Sequence, residues 1–588
     1  MSPGHAPASA TVSAPQQTDE ADRRCSCAEA IVAGLVAAGV SEVFGIAGGK
    51  FAPLLEAISR EPRLSFTGTR HEAAAAFMAT AVAHRSGRLA ACVAEMGPGA
   101  LNLASGLDTA FTNHLPVLAI TVATPMRLSS PAHGQIMELD AGPVFAALTK
   151  WRATITHAAR VPELMARAVR ESFTGAPGPV HLEVGYDVLA TGAVVELREL
   201  AAVGRAGELG RSPADPRLVM VAAARLHAAR RPLVIAGGGA VAAEASDQLG
   251  ALATRLDAAV IVTQMGIGAL GDDEPGLVGQ GGVVFGESVI RALREADVVL
   301  AVGCRFSSWL WDGITPAGAE NPDQALIHLD REPTEIGRLR PAAVGLVGDA
   351  QAVLEQLLDA VGPPSGEADS GWRAGLREEH LAYVRGLRAL GEGEPGTMHP
   401  AQLARAIGEA LPPHALVVYD GAHTSFWSND LTPVTEPRTR FHDPGSGHLG
   451  FGVPYAHALA LLERGRGRPV IDITGDGAFG FSVAELDTAV RYGLSVVHIV
   501  HDNQAWGVVG HTQKRLDFSL GTELDGTDYV AIARGFGAHG ERVASVEEVG
   551  PALARAVSVG GPAVIDARVR FVPHPGLPRF GAMGREAP

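Results

Sequence analysis

The chain has 588 residues, 47% hydrophobic and 19% charged, enough to bury several cores and to divide into about three or four domains. A formal charge of -16 excludes the basic excess of a nucleic-acid surface and leaves room only for local basic pockets that hold small anions. No run reaches the roughly 20 uninterrupted apolar residues of a membrane-spanning helix, and the first residues lack the basic start and apolar centre of a secretory signal. A cytoplasmic protein with a disordered tail at 1–22, and with neither nucleic-acid nor membrane partners, is expected. The cysteines at 25, 27, 92 and 304 are too few and scattered for a disulfide framework, and the CxC of Cys25 and Cys27 lacks a second metal-binding cluster.

In chain order, short apolar strand-like runs alternate with Ala/Leu-rich helical stretches. The runs include EVFGI at 42–46, LAACVA at 89–94, PVLAIT at 116–121 and PLVIAGGG at 232–239. This alternation predicts an α/β protein with mainly parallel sheets flanked by helices. Stretches rich in Pro, Gly and charge around 190–215 and 362–397 read as solvated connections. They divide the chain into domains at 23–192, 212–362 and 396–575, followed by a tail at 576–588. The first and third domains end in similar phrases, GPVHLEVGYDV at 178–188 and GPAVIDARV at 561–569, which suggests two related domains around a different middle one.

The segment GDGAFGFSVAELDTAVRYGLSVVHIVHDN at 475–503 is the most informative. The strand VIDIT at 470–474 leads into a Gly turn and a helix, and the strand VVHIV at 496–500 then leads into Asp502 and Asn503. Asp476 and Asn503 therefore leave the carboxyl ends of parallel strands, where α/β sheets bind ligands. A carboxylate, an amide oxygen and a backbone carbonyl suit octahedral magnesium. Gly475 and Gly477 let the backbone approach a diphosphate.

This segment resembles the cofactor motif of the thiamine diphosphate-dependent enzymes, with Asp502 in place of the first Asn of the family pattern. From about 25 to 572 the chain is similar to the acetolactate synthase group of that superfamily. The likeness is carried by VFGIAGGK at 43–50, RHEAAAAFMA at 70–79, GPGALNLASGL at 97–107, AVGCRF at 301–306, HLDREPTEIG at 328–337 and GFGVP at 450–454.

The resemblance implies a pyrimidine-binding domain, a Rossmann-like middle domain and a diphosphate-binding domain. It implies Mg2+ held by Asp476, Asn503 and the carbonyl of Ala505. Gly97, Gly475, Gly477, Ala478, Trp506 and Gly507 would line the cofactor. Glu72 matches the carboxyl group that activates the aminopyrimidine, at a helix start beside a small-residue surface able to accept a flat ring. Leu449 matches the wedge beneath the bent cofactor, and the carbonyl of Gly447 would accept from the exocyclic amine. Glu485 and Asp487 read as surface or interdomain charges without a catalytic role. Sites between subunits, hence a homodimer at least and a tetramer as a further option, are also implied.

Departures from the group fall where substrates are selected. The Phe-Gln-Glu stretch of the biosynthetic enzymes becomes Ile136, Met137 and Glu138, counted back from Lys150, with glutamine displaced to Gln135 and His133 added. Thr512 stands where branched-chain enzymes carry tryptophan, and the GQH phrase reads Gly421, Ala422, His423. His114, His133, Gln135, His423 and His511 are candidate proton relays. Gly237 to Gly239 and Arg305 match a region that holds FAD in some members, which leaves bound FAD open. The implied activity takes an acyl group from a pyruvate-like 2-keto acid and transfers it to a second carbonyl, with altered substrate scope. Two alternatives stay open: a decarboxylase or 2-hydroxyketone lyase, acting on keto acids or aldehydes without ligation, and a catalytically silent binding homologue.

Overall fold

The computed structural model describes residues 24–577 apart from 130, 193, 208–209, 308–309, 311–322, 363–368 and 394–395. The expected tails therefore lie outside the described residues, save Gly576 and Leu577. Among the described residues the chain builds three six-stranded sheets, each parallel throughout, with helices packed on them.

The first sheet comprises Glu42–Gly45, Ser65–Gly68, Ala90–Ala94, Val117–Ala123, Trp151–Ile155 and Val180–Gly185. In space these run second, first, third, fourth, sixth, fifth. The third sheet has Leu416–Asp420, Arg440–Phe441, Val470–Gly475, Val496–Asp502, His539–Val543 and Pro562–Arg568 in the same spatial order. The middle sheet differs. Its strands Pro232–Ala236, Ala259–Thr263, Leu277–Gly281, Val298–Val302, Ala325–Asp330 and Val344–Val347 run third, second, first, fourth, fifth, sixth, the doubly wound dinucleotide-binding order. The shared strand order thus extends the likeness of the outer domains well beyond their closing phrases. Central strands such as Val117–Ala123 and Val496–Asp502 are buried at every residue, as parallel strands covered on both faces must be.

The outer domains share one core. Helix Glu72–Ser86, buried at every residue from Ala73 to Ala83, packs with Pro98–Thr112 and with Gly452–Leu462 of the third domain. A Cβ on Gly106 would lie 2.4 Å from the carbonyl of Ala73, so glycine there permits the helices to close together. Ala73 to Ala76, read from sequence as a platform for a flat ring, are instead buried in this packing.

The two supposed connections also contain core elements. Within 362–397, helix Ser370–Arg388 buries Trp372, Leu376 and Leu387, and within 190–215 helix Ala201–Ala206 buries Val203. Cys25 and Cys27 sit in the first core, where burial, reinforced by Cys25, pushes the Cys27 thiol up to about 12. No helix among the described residues is long and apolar enough to cross a membrane.

Candidate active site

In a sheet ordered second, first, third, fourth, the direction of winding reverses between the first and third strands, and ligands collect at the carboxyl ends there. In the third domain those ends are Asp420, continuing into Gly421 and His423, and Gly475, where a helix begins at Asp476. The neighbouring fourth strand ends at Asp502 and delivers Asn503 to the same crevice.

Asp476 and Asn503 meet there. Asp476 is 4% exposed; its Oδ1 accepts from the N–H of Gly477 at 2.8 Å and its Oδ2 from the N–H of Ala505 at 3.2 Å. Asn503 Oδ1 accepts from that same Ala505 N–H at 3.0 Å, so two side-chain oxygens converge on one backbone amide. The left-handed backbone of Gln504 (φ 58°) turns the chain tightly enough for this. Burial raises the Asp476 carboxyl to about 6, opposed by backbone N–H groups and not by a cationic side chain. Buried oxygen donors without a matching positive charge are the donor set that a hard divalent cation satisfies.

Small residues form the floor around these oxygens. A Cβ on Gly477 would fall 2.4 Å from the indole of Trp506, and one on Gly507 would fall 2.9 Å from His423. Ala478 is buried below Gly421, and Gly475 faces Thr424. After the second strand, Gly447 (φ 66°) is exposed with open space on its Cβ side, and Leu449 is half-buried two residues on. Asp443, which the sequence reading missed, holds this turn: it accepts from the N–H groups of Ser446 and His448, both at 3.3 Å, and from Thr109 (3.0 Å) and Asn113 (2.6 Å) of the first domain. Asp502 is buried and ion-paired with Arg568 at 3.0 Å; burial and then Asp566 raise it to about 7.

The first domain presents its own reversal point. Glu72 opens the helix after the second strand, half-buried, and its Oε2 accepts from Asn102 Nδ2 at 3.0 Å. A Cβ on Gly99 would lie 3.2 Å from Glu72 Oε1 and 3.3 Å from Glu95 Cβ. Glu95, just past the third strand, accepts from the Lys50 N–H at 2.9 Å, just past the first. Gly97 (φ 65°) has no room for a side chain, since its Cβ would lie 2.5 Å from the Met137 carbonyl, while Lys50 Nζ donates to the Ile136 carbonyl at 3.3 Å. Asn102, Glu95 and Lys50 are not singled out by the sequence, although Asn102 falls inside the GPGALN phrase and Lys50 closes the VFGIAGGK phrase.

The candidate relays disperse. His423 is 8% exposed, with Nδ1 3.4 Å from Asn503 Nδ2, and burial followed by His511 lowers it to about 4. His511 stacks on Phe571 at 3.9 Å, close to His423. His114 belongs elsewhere: its Nε2 accepts from Arg305 of the middle domain at 2.8 Å, and burial followed by Arg305 lowers it to about 4. Gln135 and Ile136 are exposed, and Glu138 accepts from the N–H groups of His133 and Gln135. Thr512 is exposed and donates to the Val508 carbonyl.

The middle-domain glycines have a packing explanation. A Cβ on Gly237 would lie 2.1 Å from the Gly303 carbonyl and one on Gly239 2.7 Å from Gly303 Cα, while Arg305 also donates to the Thr112 carbonyl.

Two outer α/β domains of one strand order around a dinucleotide-type domain are joined by family matches that make the chain a thiamine diphosphate-dependent enzyme. The family models for thiamine pyrophosphate enzymes match in order: the N-terminal TPP binding domain over 26–143, the central domain over 219–357 and the C-terminal TPP binding domain over 420–567. Within that family the chain belongs with the acetolactate synthase large subunits. It is 30% identical to the probable acetolactate synthase large subunit of Methanocaldococcus jannaschii over 571 residues, 95% of this chain and 94% of the relative. It is 28% identical to the isozyme 1 large subunit of Escherichia coli (94% and 95% covered) and 30% identical to isozyme 2 (91% and 94%).

Proposed function

We propose that the protein is a thiamine diphosphate- and Mg2+-dependent carboligase that takes an acyl group from a pyruvate-like 2-keto acid, with loss of carbon dioxide, and joins it to a second carbonyl. The observation that carries this reading is the convergence of Asp476 and Asn503 on the Ala505 amide at the third domain's reversal point. When bound, the cofactor supplies a nucleophilic thiazolium carbon and an electron sink for the acyl group.

The chain's own residues then have separable tasks. Asp476, Asn503 and the Ala505 carbonyl would hold Mg2+, which neutralises the diphosphate. Gly475, Gly477, Ala478, Trp506 and Gly507 would hold the diphosphate end, Gly97 would face the pyrimidine, and Leu449 and Gly447 would set the cofactor's bend. Glu72 would keep a proton at the pyrimidine nitrogen, with Asn102 fixing its free oxygen. Of the candidate relays, His423 is best placed, beside Asn503 at the proposed metal end of the site. The exposed Gln135 and Ile136 on the 131–140 loop would meet the substrate and alter its scope.

The apolar side chains Leu101, Phe111, Ile136, Phe481 and Val509, on the segments that carry Asn102, Gln135, Asp476 and Gly507, are exposed in the single chain. They support a homo-oligomer in which a second copy covers these segments, a dimer at least.

Incubation with thiamine diphosphate, Mg2+ and pyruvate against a panel of keto acids and aldehydes, read by mass spectrometry, should yield 2-hydroxyketone products. Free aldehyde alone would make the protein a decarboxylase. Glu72→Gln should abolish turnover while cofactor binding survives.

A further inference from the structure

The backbone that delivers Glu72 is held by the third domain of the same chain. Glu485, 2% exposed, accepts through Oε1 from the N–H of Arg70 at 2.9 Å and of His71 at 3.0 Å. Its Oε2 accepts from the Thr488 hydroxyl at 2.6 Å. Tyr492 Oη accepts from the Gly68 N–H at 2.7 Å, and Arg491 donates to the Gly68 carbonyl at 2.7 Å. Residues 68–71, which join the second strand to the Glu72 helix, are therefore fastened along their length, and His71 caps that helix through Ala73 N–H.

A carboxylate buried this deeply is costly unless charge-assisted hydrogen bonds satisfy it. Here those bonds go to the two amides directly before Glu72. Glu485 also lies in the short turn that links helix Asp476–Ser482 to helix Leu486–Tyr492, so one continuous segment carries a proposed metal ligand at its start and the clamp further along. Glu485, read from the sequence as a surface or interdomain charge, is interdomain and fully enclosed.

We propose that Glu485, assisted by Tyr492, is a positioning residue for Glu72: it fixes where the activating carboxyl stands, whichever chain's cofactor that carboxyl serves. This rests on the role assigned to Glu72 above. A carboxyl displaced by about 1 Å at this step is expected to cost one to two orders of magnitude in rate.

The test measures exchange of the thiazolium carbon's proton with deuterium, by rapid quench and NMR, on holoenzyme without substrate. Glu485→Ala should slow exchange at least about tenfold while thiamine diphosphate affinity changes little, and it should lower thermal stability because the Arg70 and His71 N–H groups lose their acceptor. Glu485→Gln, whose amide oxygen can still accept both N–H groups, should restore the rate to within about threefold, because hydrogen-bond acceptance and not charge is required. Native-rate exchange in Glu485→Ala, or equal slowing in the Ala and Gln variants, overturns the proposal. If Glu485→Ala does not fold, Tyr492→Phe decides: slowed exchange supports the clamp and a native rate overturns it. Glu72→Gln separates the two ideas, since native-rate exchange there removes the role of Glu72 itself, whatever the clamp variants do.

Discussion

Replacing Gly477 with alanine tests the floor of the site most directly. The added Cβ would meet three carbons of the Trp506 ring at 2.4, 2.7 and 2.9 Å, whereas carbon atoms pack at about 3.5 to 4.0 Å. The indole must therefore retreat by at least about 1 Å, and overpacking of this kind costs about 1–3 kcal/mol. Trp506 follows Ala505 directly, and its N–H is tied to the Thr522 carbonyl, so the displaced indole strains the backbone next to the proposed carbonyl ligand. Affinity for thiamine diphosphate with Mg2+ should fall about tenfold or more, measured by calorimetric titration. Trp506→Ala removes the obstruction, so the double variant should bind more tightly than the product of the single effects predicts. Unchanged affinity and stability in Gly477→Ala would refute the packing explanation.

Two further outcomes follow from the proposed ligands and their placement. Because Asp476 must ionise to bind a cation and burial raises it to about 6, manganese affinity should be about tenfold weaker at pH 5 than at pH 7.5. Without a cation, the stability Asp476 contributes below its unfolded value, near 3.8, is lost as pH rises through about 6. Electron paramagnetic resonance on cofactor-free protein avoids the diphosphate's own titration, and a flat profile would remove Asp476 from the site. If sites lie between subunits, mixing inactive Glu72→Gln and Asp476→Asn chains should regenerate roughly a quarter of native activity, since half the dimers are mixed and each has one intact site. No recovery, after subunit exchange is verified by mass spectrometry, would place each site within one chain.

The strands were readable because parallel strands buried on both faces are written as unbroken Val, Ile and Leu, and the GDG segment because its chemistry is local. What was not readable depended on distant partners. Glu485 looks like any solvated helix charge, since its acceptors' partners lie 415 and 414 residues away; Asp443 likewise reaches Thr109 across 334. Helix Ser370–Arg388 was hidden by its Gly, Arg and Glu content, because Trp372, Leu376 and Leu387 provide few apolar anchors for its length. His114 has the chemistry of a relay in isolation, and only the fold reveals that Arg305 occupies its Nε2.

The repeated strand order gives the proposed chemistry and the proposed substrate choice separate places in this chain. Each outer sheet reverses between its first and third strands, so each offers one crevice, and the two crevices carry different inventories: Glu72, Asn102 and Gly97 on one, Asp476, Asn503 and Leu449 on the other. Both sheets bury helices in one core, so neither inventory can drift relative to the other within a chain. The 131–140 loop is restrained less: Gln135 and Ile136 are exposed, and besides its own Glu138 bonds it is tied to the first domain where Lys50 Nζ meets the Ile136 carbonyl and Gly97 meets the Met137 carbonyl. Under the proposed function, substitution there would change which carbonyl is admitted at small cost to the fold, whereas change at Glu72 or Asp476 would alter the reaction itself.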